Sequence, residues 1–447
     1  MKQNKLARYG SLDSHMPPDR YWAFVQRGEG IDSTNFELWE TPSVTDNAVL
    51  LRVDASVICT SDVKNIWTPY ARERIVGADG KSGFDIEGTG IVNGHEATLT
   101  VVKVGDKVQD FNSGDRVVLQ ADLRGYANNQ AVGYRVFGAF RGFAQWGPVV
   151  QEYLIKLDRD IGYIEAALVE GPTCAYASHQ VGPVRDDDHT VWINGVGGPM
   201  GNMHTEEILL RRKEGKYQGI TTLVVSDLDA KRLQAYEQKF GAELASAGVR
   251  LLPFNPSGMS GGLPNQGEFR DLKIDYYLEL APIADVTLQN LQALRDHAVI
   301  NVYSSYNRGE GPIQLASGQA SSLKAIHSAN TILEARIGGR PFVVTGNSGS
   351  TLQDMRDVLK RLEDGKINTY GFAEAVTGWQ KLPEALEAQH DRKFNQKICV
   401  LNQVADLPLT AISDLTKLPV EWGDAIEDIE KGRLTRRVED ALLEHYL

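Results

Sequence analysis

A cluster of glycines between an apolar run and a helix-compatible segment constrains the fold of this 447-residue chain most strongly. The run VWIN, residues 191–194, leads into GVGGPMG, and NMHTEEILLRR follows. Glycines permit a tight turn and a close approach of the backbone to a pyrophosphate, and the N-terminus of the next helix attracts an anion. The segment therefore predicts a strand, loop and helix that bind a dinucleotide. The predicted contacts are Gly195, Gly197, Gly198, Pro199, Met200 and Gly201.

The next predicted strand, TTLVVSD, ends in an acidic residue, Asp227. A carboxylate at this place accepts a hydrogen bond from a ribose 2′-hydroxyl and disfavours a 2′-phosphate, so NAD(H) is the expected cofactor. The spacing is irregular: one extra residue precedes Gly201, and Asp227 lies 32 positions after Gly195, where about 20 is typical. Lys231 and Arg232 lie close enough in sequence to leave NADP(H) open. The alternative interpretation of the loop is a purely structural turn.

The pattern of apolar runs divides the chain into a β-rich part and an alternating part. Short β-branched runs separated by Gly, Asp and Asn dominate the first 165 residues and predict a β-rich unit. After them, near-continuous apolar strands alternate with helical stretches, which predicts an α/β fold with a doubly wound parallel sheet. The predicted domains are 1–175 (β-rich), 176–346 (nucleotide-binding), 347–402 (a return to the first domain) and 403–447 (a helical tail).

Composition and charge exclude several classes of protein. Hydrophobic residues make up 42% and charged residues 24% of the chain, which argues against disordered and fibrous proteins. The net charge of −12 disfavours nucleic acid and anionic membranes as partners. No apolar run reaches the length of about 18 residues needed for a membrane helix, and the first residues lack the apolar core of a signal peptide. The cysteines Cys59, Cys174 and Cys399 are too few for a disulfide framework, so we expect a soluble protein of the cytoplasm.

Potential metal ligands lie near the ends of two early predicted strands. Cys59-Thr60-Ser61-Asp62 follows LLRVDASVI, and Gly94-His95-Glu96 precedes ATLTVVKV. A catalytic zinc takes three protein ligands of N, S or O type and keeps one open position, and a thiolate and an imidazole supply two such ligands. Taken singly, Cys59 is typical of a buried core thiol and His95 of a satisfied core histidine.

In their order along the chain, these motifs resemble those of the zinc-dependent medium-chain alcohol and polyol dehydrogenases. That pattern is Cys-x-Ser/Thr-Asp, Gly-His-Glu, a Val-Gly pair with Gly-Asp-Arg-Val, a third ligand, and then the glycine loop. The resemblance spans residues 20–402, and the run GGPMGNMH is most similar to sorbitol dehydrogenases and sorbose-phosphate reductases. It implies a β-rich GroES-like catalytic domain, a Rossmann-type nucleotide-binding domain and one zinc ion per chain. The four-cysteine zinc lobe of many relatives is absent from the sequence.

The resemblance also implies a ligand set for the zinc. Cys59 and His95 would bind the ion, with Glu170 as the third ligand and Cys174 as its rival. Glu96 is the other possibility, binding the metal itself while Glu170 holds a water molecule. Glu96 therefore stands both among the predicted metal ligands and among the predicted catalytic residues.

A proton relay is implied by the residues around the cysteine motif. Ser61 resembles the relay hydroxyl, and Asp62 resembles the carboxylate that orients the ligand histidine. Lys64 stands where the family often has histidine, and a lysine is a poor base at neutral pH unless it is desolvated. The identity of the last relay member is therefore open.

The implied reaction is hydride transfer between a nicotinamide cofactor and an alcohol or ketone of a polyol, sugar or sugar phosphate. We expect a homodimer or homotetramer. The alternatives are a lyase or epimerase that retains NAD and oxidises its substrate transiently, and a nucleotide-binding relative without catalytic activity. Arg72, Arg74 and Lys81, in an extra segment between the cysteine and histidine motifs, would either meet an anionic substrate or belong to a solvated loop.

Overall fold

The computed structural model describes residues 18–67, 76–77, 88, 90–120, 136–137, 142–157, 161–306 and 308–447. These residues form two compact units. The first contains the described residues up to 170 together with Met355–Leu447, and the second is built from Gly171–Asp354. The domain boundaries drawn from the sequence stay predictions. Within the part of the chain described here, no helix is both long enough and apolar enough to cross a membrane.

The described strands and helices are numbered in chain order. The strands are β1 (Arg20–Gln26), β2 (Thr34–Glu40), β3 (Ala48–Ile58), β4 (Val76–Gly77), β5 (Ile91–Val92), β6 (Glu96–Val104), β7 (Arg116–Leu119), β8 (Val136–Phe137), β9 (Trp146–Val150), β10 (Leu154–Lys156), β11 (Thr190–Asn194), β12 (Thr222–Ser226), β13 (Arg250–Phe254), β14 (Ile274–Glu279), β15 (Leu294–Val302), β16 (Pro312–Leu315), β17 (Ala320–Ser322), β18 (Ile332–Ile337), β19 (Arg340–Gly346), β20 (Ala373–Gly378), β21 (Lys397–Leu401) and β22 (Thr410–Ala411). The helices are α1 (Thr60–Trp67), α2 (Tyr163–Ala167), α3 (Glu170–Val181), α4 (Pro199–Lys213), α5 (Ala230–Ser246), α6 (Ala284–Asn290), α7 (Leu323–Ile326), α8 (Leu352–Glu363), α9 (Leu382–His390), α10 (Ile426–Glu430) and α11 (Arg436–Tyr446).

Mostly antiparallel sheets form the first unit. One sheet has the order β2-β1-β5, and the larger sheet has the order β10-β7-β6-β3-β21-β20-β22, with β9 beside β3. Strand β3 is buried along its whole length because β6, β21 and β9 pair with it and apolar side chains cover it. Its last residues lead directly to Cys59, and Val57 pairs with Glu96 at the start of β6. The register of this sheet therefore brings the two predicted ligand motifs together.

A single sheet with the order β13-β12-β11-β14-β15-β19-β18-β16-β17 organises the second unit. The first six strands in this order, β13-β12-β11-β14-β15-β19, run parallel. The last three, β18, β16 and β17, add antiparallel pairs at one edge. Trp192 of β11 enters the core on one face of the sheet, while Val191 and Ile193 enter the core on the other. Burial on both faces is the reason that these strands are continuous apolar runs. The prediction of a doubly wound parallel sheet is confirmed.

Candidate active site

One buried carboxylate joins the two ligand segments of the first unit. Asp62 lies in the first turn of α1, and its Oδ2 accepts a hydrogen bond from the backbone N–H of Cys59 at 3.0 Å, as a capping residue does. Its Oδ1 accepts the N–H of Gly94 at 3.0 Å and lies 3.2 Å from Nδ1 of His95. Burial alone would raise the pKa of Asp62, but His95 and these backbone donors outweigh burial and lower it. The predicted contact between Asp62 and His95 is confirmed.

The turn before His95 requires glycine. Gly94 has a φ of +90°, and a Cβ at this position would lie 2.5 Å from the ring of Phe143 and 2.7 Å from its backbone nitrogen. The carbonyl oxygen of Gly94 accepts the N–H of Gly142, whose own carbonyl accepts the amide of Asn402. Contacts with Asp62 and with the segment of Gly142 and Phe143 therefore fix the direction in which His95 enters the site, and Asn402 holds that segment in place.

Cys59, His95 and Glu96 bring together three donor groups that could hold a metal ion. Their sulfur, nitrogen and oxygen ligand atoms all lie within 4.8 Å of one another. His95 and Glu96 are buried and Cys59 is half-buried. One oxygen of Glu96, Oε2, is buried without a hydrogen-bond partner among the described residues, which is costly unless a cation is bound there. The donor types and this unsatisfied oxygen fit a zinc ion.

Lys397 is a residue of this site that the sequence analysis did not identify. It begins β21, is 4% exposed, and pairs through Nζ with Oε1 of Glu96. Burial alone would lower the pKa of Lys397, but the negative charges of Cys59, Glu96 and Glu170 raise it, so the side chain stays protonated. The two partners are separated by 301 positions in sequence, so no local pattern reveals the pair. The oxygen that the ammonium group holds, Oε1, also lies 3.9 Å from Nε2 of His95.

Glu170 opens helix α3 and is buried, and its charge interacts with Lys397. Its carboxylate is not one of the ligand atoms that the structure places within 4.8 Å of one another, and neither is the thiol of Cys174 on the same helix. The role of Glu170 as third ligand or as holder of a water molecule therefore stays a prediction.

The two predicted relay residues lie on one helix beside the cysteine. Cys59 Sγ lies 3.8 Å from Ser61 Oγ, and Lys64 follows one helical turn after Ser61. Partial burial of the ammonium group lowers the pKa of Lys64, opposed by the charge of Cys59. The lysine side chain still reaches solvent. The basic residues of the extra segment, Arg72, Arg74 and Lys81, lie outside the described residues.

The glycine loop of the second unit joins β11 to α4. Gly195 has a φ of +83°, Gly198 caps the helix, and Pro199 is its first residue, a position where the N–H that proline lacks would have no partner within the helix. A Cβ on Gly201 would lie 2.0 Å from the carbonyl oxygen of Val196. Although the loop has one extra residue, its last glycine, Gly201, packs closely against the turn, as a dinucleotide-binding loop requires.

Asp227 follows β12 directly and contacts this loop. Its Oδ2 accepts the N–H of Gly197 at 2.8 Å, and its Oδ1 accepts the N–H of Asp229. Asp229 in turn caps α5 by accepting the N–H groups of Lys231 and Arg232. A Cβ on Gly197 would lie 2.6 Å from Cβ of Arg232 and 2.8 Å from Oδ2 of Asp227. Asp227 and Arg232 thus flank the loop, and their contacts to a cofactor stay predictions.

Met200 and His204 pack against a tyrosine at the end of β15. The Tyr303 hydroxyl lies 3.7 Å from the sulfur of Met200, and its ring meets the ring of His204 edge-on at 4.7 Å. Burial lowers the pKa of His204 to about 3, so the imidazole is neutral and packs beneath the first turns of α4.

Part of the chain matches a known domain family, and longer stretches are similar to curated proteins. The family model of the alcohol dehydrogenase GroES-like domain matches residues 45–160. The chain is 24% identical over 407 residues to the uncharacterized protein YggP of Escherichia coli strain K12, covering 87% of this chain and 88% of the relative. It is 38% identical over 91 residues to the sorbitol dehydrogenase of Bombyx mori, covering 20% of this chain and 23% of that enzyme.

Solved structures show the same fold at low sequence identity. The 2R,3R-butanediol dehydrogenase of Bacillus subtilis is 19% identical with a TM-score of 0.63, covering 86% of this chain and 99% of the other. An Escherichia coli CFT073 protein described as a short chain alcohol dehydrogenase complexed with NADH has a TM-score of 0.62 at 15% identity, covering 86% and 100%. A cobalt- and zinc-bound alcohol dehydrogenase from Pyrobaculum aerophilum has a TM-score of 0.57 at 16% identity, covering 86% and 100%. The predicted GroES-like and Rossmann-type architecture is confirmed.

Proposed function

We propose that this chain, a member of the medium-chain alcohol and polyol dehydrogenase family, is a zinc-dependent oxidoreductase. Its substrate is an alcohol or ketone of a polyol, sugar or sugar phosphate, and its co-substrate is a nicotinamide cofactor. The observation that carries the proposal is the donor set of Cys59, His95 and Glu96, with one buried carboxylate oxygen unsatisfied. The names of two relatives, a sorbitol dehydrogenase and a butanediol dehydrogenase, support the substrate class.

The residues around the donor set prepare it to hold a cation. Zinc bound to Cys59, His95 and Glu96 would supply Lewis acidity, which lowers the pKa of an alcohol oxygen. Asp62 accepts the Nδ1 proton of His95 and so leaves Nε2 as the ligand atom. Lys397 holds Oε1 of Glu96, which lies 3.9 Å from Nε2 of His95, while Oε2 has no hydrogen-bond partner among the described residues. The carboxylate of Glu96 thus has capacity left for a metal. In this arrangement Glu170, a buried carboxylate near Lys397, holds a water molecule.

Proton removal from the alcohol is assigned to Ser61 and Lys64. The Ser61 hydroxyl lies beside the thiol of Cys59 and passes the proton on. Lys64, one turn further along α1, carries it to solvent, and its lowered pKa makes it a better base at neutral pH than an ordinary lysine. This assignment gives the place of the family histidine to a lysine whose pKa is lowered by partial burial.

The cofactor is assigned to the glycine loop of the second unit. The free N–H groups at the start of α4 suit a pyrophosphate, and Asp227 suits the 2′-hydroxyl of NAD(H). Arg232 and Lys231 are the residues that would favour NADP(H) instead. We further predict one zinc ion per chain, assembly into a homodimer or homotetramer, and a cytoplasmic location.

Metal content of purified variants tests the donor set. The wild type should contain about one zinc ion per chain. Cys59→Ser and Glu96→Gln should lose most of it, whereas the matched variants Cys174→Ser and Glu170→Gln should keep it. All four variants should still bind NADH, because Cys59, Glu96 and Glu170 belong to the other unit and Cys174 is not part of the glycine loop. Loss of zinc in Glu170→Gln with retention in Glu96→Gln would reverse the assignment of the third ligand.

Turnover tests the relay once the metal content is known. The assay measures the oxidation of three test substrates by NAD⁺: sorbitol, D-altritol and (R,R)-butane-2,3-diol. Ser61→Ala should keep zinc and nucleotide but lose about 10²–10⁴-fold in kcat, the range for a positioned proton-transfer group. The loss should shrink as the pH rises, because hydroxide then removes the proton directly. Wild-type activity in Ser61→Ala at neutral pH would show that the relay assignment is wrong.

A further inference from the structure

A buried glutamate holds together the edge of the second sheet at which the strand order changes direction. Glu279 is the last residue of β14, is fully buried, and lies opposite Asn194, the last residue of β11. Its Oε1 accepts the side-chain amide of Asn194 at 2.9 Å and the N–H of Ala281 at 2.7 Å. Its Oε2 accepts the hydroxyl groups of Tyr277 and Thr287. The carboxylate therefore satisfies donors from β11, β14 and α6.

This network reaches the glycine loop through Asn194. The side-chain oxygen of Asn194 accepts the hydroxyl of Ser226 at the end of β12, and its backbone oxygen accepts the N–H of Leu280. The N–H groups of Gly195 and Val196, the first loop residues, both donate to the carbonyl of Ser226. Ligands of doubly wound sheets bind at the carboxyl ends of the strands beside this change of order. Glu279 is thus connected, through one side chain, to the start of the loop assigned to the cofactor.

The carboxyl group is buried without a cation. Among the described residues, no lysine, arginine or histidine pairs with Glu279, and the titratable groups that face it are Tyr277 on its own strand and Tyr306 after β15. Thr287 and Asn290 of α6 and Asn194 of β11 are neutral. Burial raises the pKa of Glu279 to about 7, although its four hydrogen bonds lower it. The group therefore changes its charge in the neutral pH range.

We propose that Glu279 is a positioning residue whose carboxyl group gains a proton when the anionic cofactor binds at the glycine loop. The proposal rests on the proposed function, which places the pyrophosphate at that loop. A buried carboxylate and a pyrophosphate repel each other in a medium of low dielectric constant, so binding favours the neutral acid. The added proton resides on Oε2. The hydroxyl of Thr287 can then turn to donate to Tyr306, so that its oxygen accepts a hydrogen bond from the protonated Oε2. Oε1 meets only N–H donors and remains an acceptor, so the contacts to Asn194 and Ala281 persist.

Calorimetric titration of the zinc-loaded wild-type protein with NADH tests the proposal. Titrations in two buffers of different ionisation enthalpy give the number of protons taken up. Near neutral pH the wild type should gain a fraction of one proton, and its affinity should fall about fivefold or more between about pH 6 and pH 8.5. Glu279→Gln carries a neutral group whose oxygen can keep the two N–H contacts while its NH2 group donates to the hydroxyls of Tyr277 and Thr287. This variant should bind NADH without proton uptake and with an affinity independent of pH. Glu268→Gln, at an exposed position of the same unit, should behave as the wild type.

The outcomes separate this inference from the proposed function. Wild-type protein that binds NADH with no proton uptake and a flat pH profile overturns the role of Glu279 and leaves the cofactor assignment standing. A pH dependence that persists in Glu279→Gln also overturns it. Wild-type protein that binds no NADH at any pH overturns the cofactor assignment itself. The titration of the wild-type protein alone can overturn the role of Glu279, so the test remains valid even if Glu279→Gln folds poorly.

Discussion

Replacement of Gly201 by alanine tests how closely the glycine loop is packed. Gly201 lies in the first turn of α4, and the added Cβ would lie 2.0 Å from the carbonyl oxygen of Val196 and 2.5 Å from its carbonyl carbon. Carbon and oxygen atoms in weak contact are about 3.3 Å or more apart. The start of the helix or the loop must therefore move by about 1.3 Å, and the contact is with backbone, which cannot rotate away.

Two opposing effects set the size of the change. Alanine favours a helix over glycine by about 1 kcal/mol, whereas overpacking costs about 1–3 kcal/mol. Since the clash is with backbone, we place the cost at the upper end and expect a net loss of about 1–2 kcal/mol. In a unit of this size such a loss lowers Tm by about 2–8 °C. The affinity for NADH should also fall, because the N-terminus of α4 is displaced.

The assay is differential scanning calorimetry of the full chain with Gly198→Ala as the matched control. Gly198 lies in the same loop with a φ of −92°, and no atom lies within 4 Å of a Cβ built there. Each variant adds one methyl group, but only the one on Gly201 meets other atoms within 4 Å, so Gly201→Ala should have the lower Tm although alanine is also a poorer helix cap than Gly198. Equal Tm values for Gly198→Ala and Gly201→Ala would refute the packing argument.

Two further variants test contacts elsewhere in the chain. Glu439→Ala should destabilise the first unit by about 2–4 kcal/mol in chemical denaturation, because the N–H groups at the start of α2 and the hydroxyl of Tyr370 lose their buried acceptor. Asp440→Ala, at an exposed position of the same helix, should cost less than about 1 kcal/mol, and equal losses would contradict this interpretation. Asp227→Ala should weaken binding of NADH more than binding of NADPH, measured by fluorescence titration. A wild-type preference for NADP(H) of about tenfold or more would instead assign cofactor selection to Arg232.

The sequence alone predicted the features that depend on local pattern. Continuous apolar runs indicated strands buried on both faces, and the parallel sheet of the second unit has that arrangement. The glycine loop was predicted because only glycine tolerates the turn at Gly195 and the contact at Gly201. Cys59 and His95 were identified because each stands in a short motif next to a predicted strand. In each case the constraint acts within a few residues, so the sequence records it.

The tertiary structure decided the contacts between residues that are distant in sequence. It placed Lys397 against Glu96, and it placed Glu439 of the last helix over the start of α2. It also left Glu170 outside the group of close ligand atoms that contains Glu96, whereas the sequence had left both glutamates open as third ligand. Hydrophobic periodicity reports whether a side chain is buried, but it does not report which other segment is packed against it. The partner of a buried charge is set by sheet register and helix packing. The sequence therefore predicted the motifs of the candidate site, and the tertiary structure brought together residues that are distant in sequence.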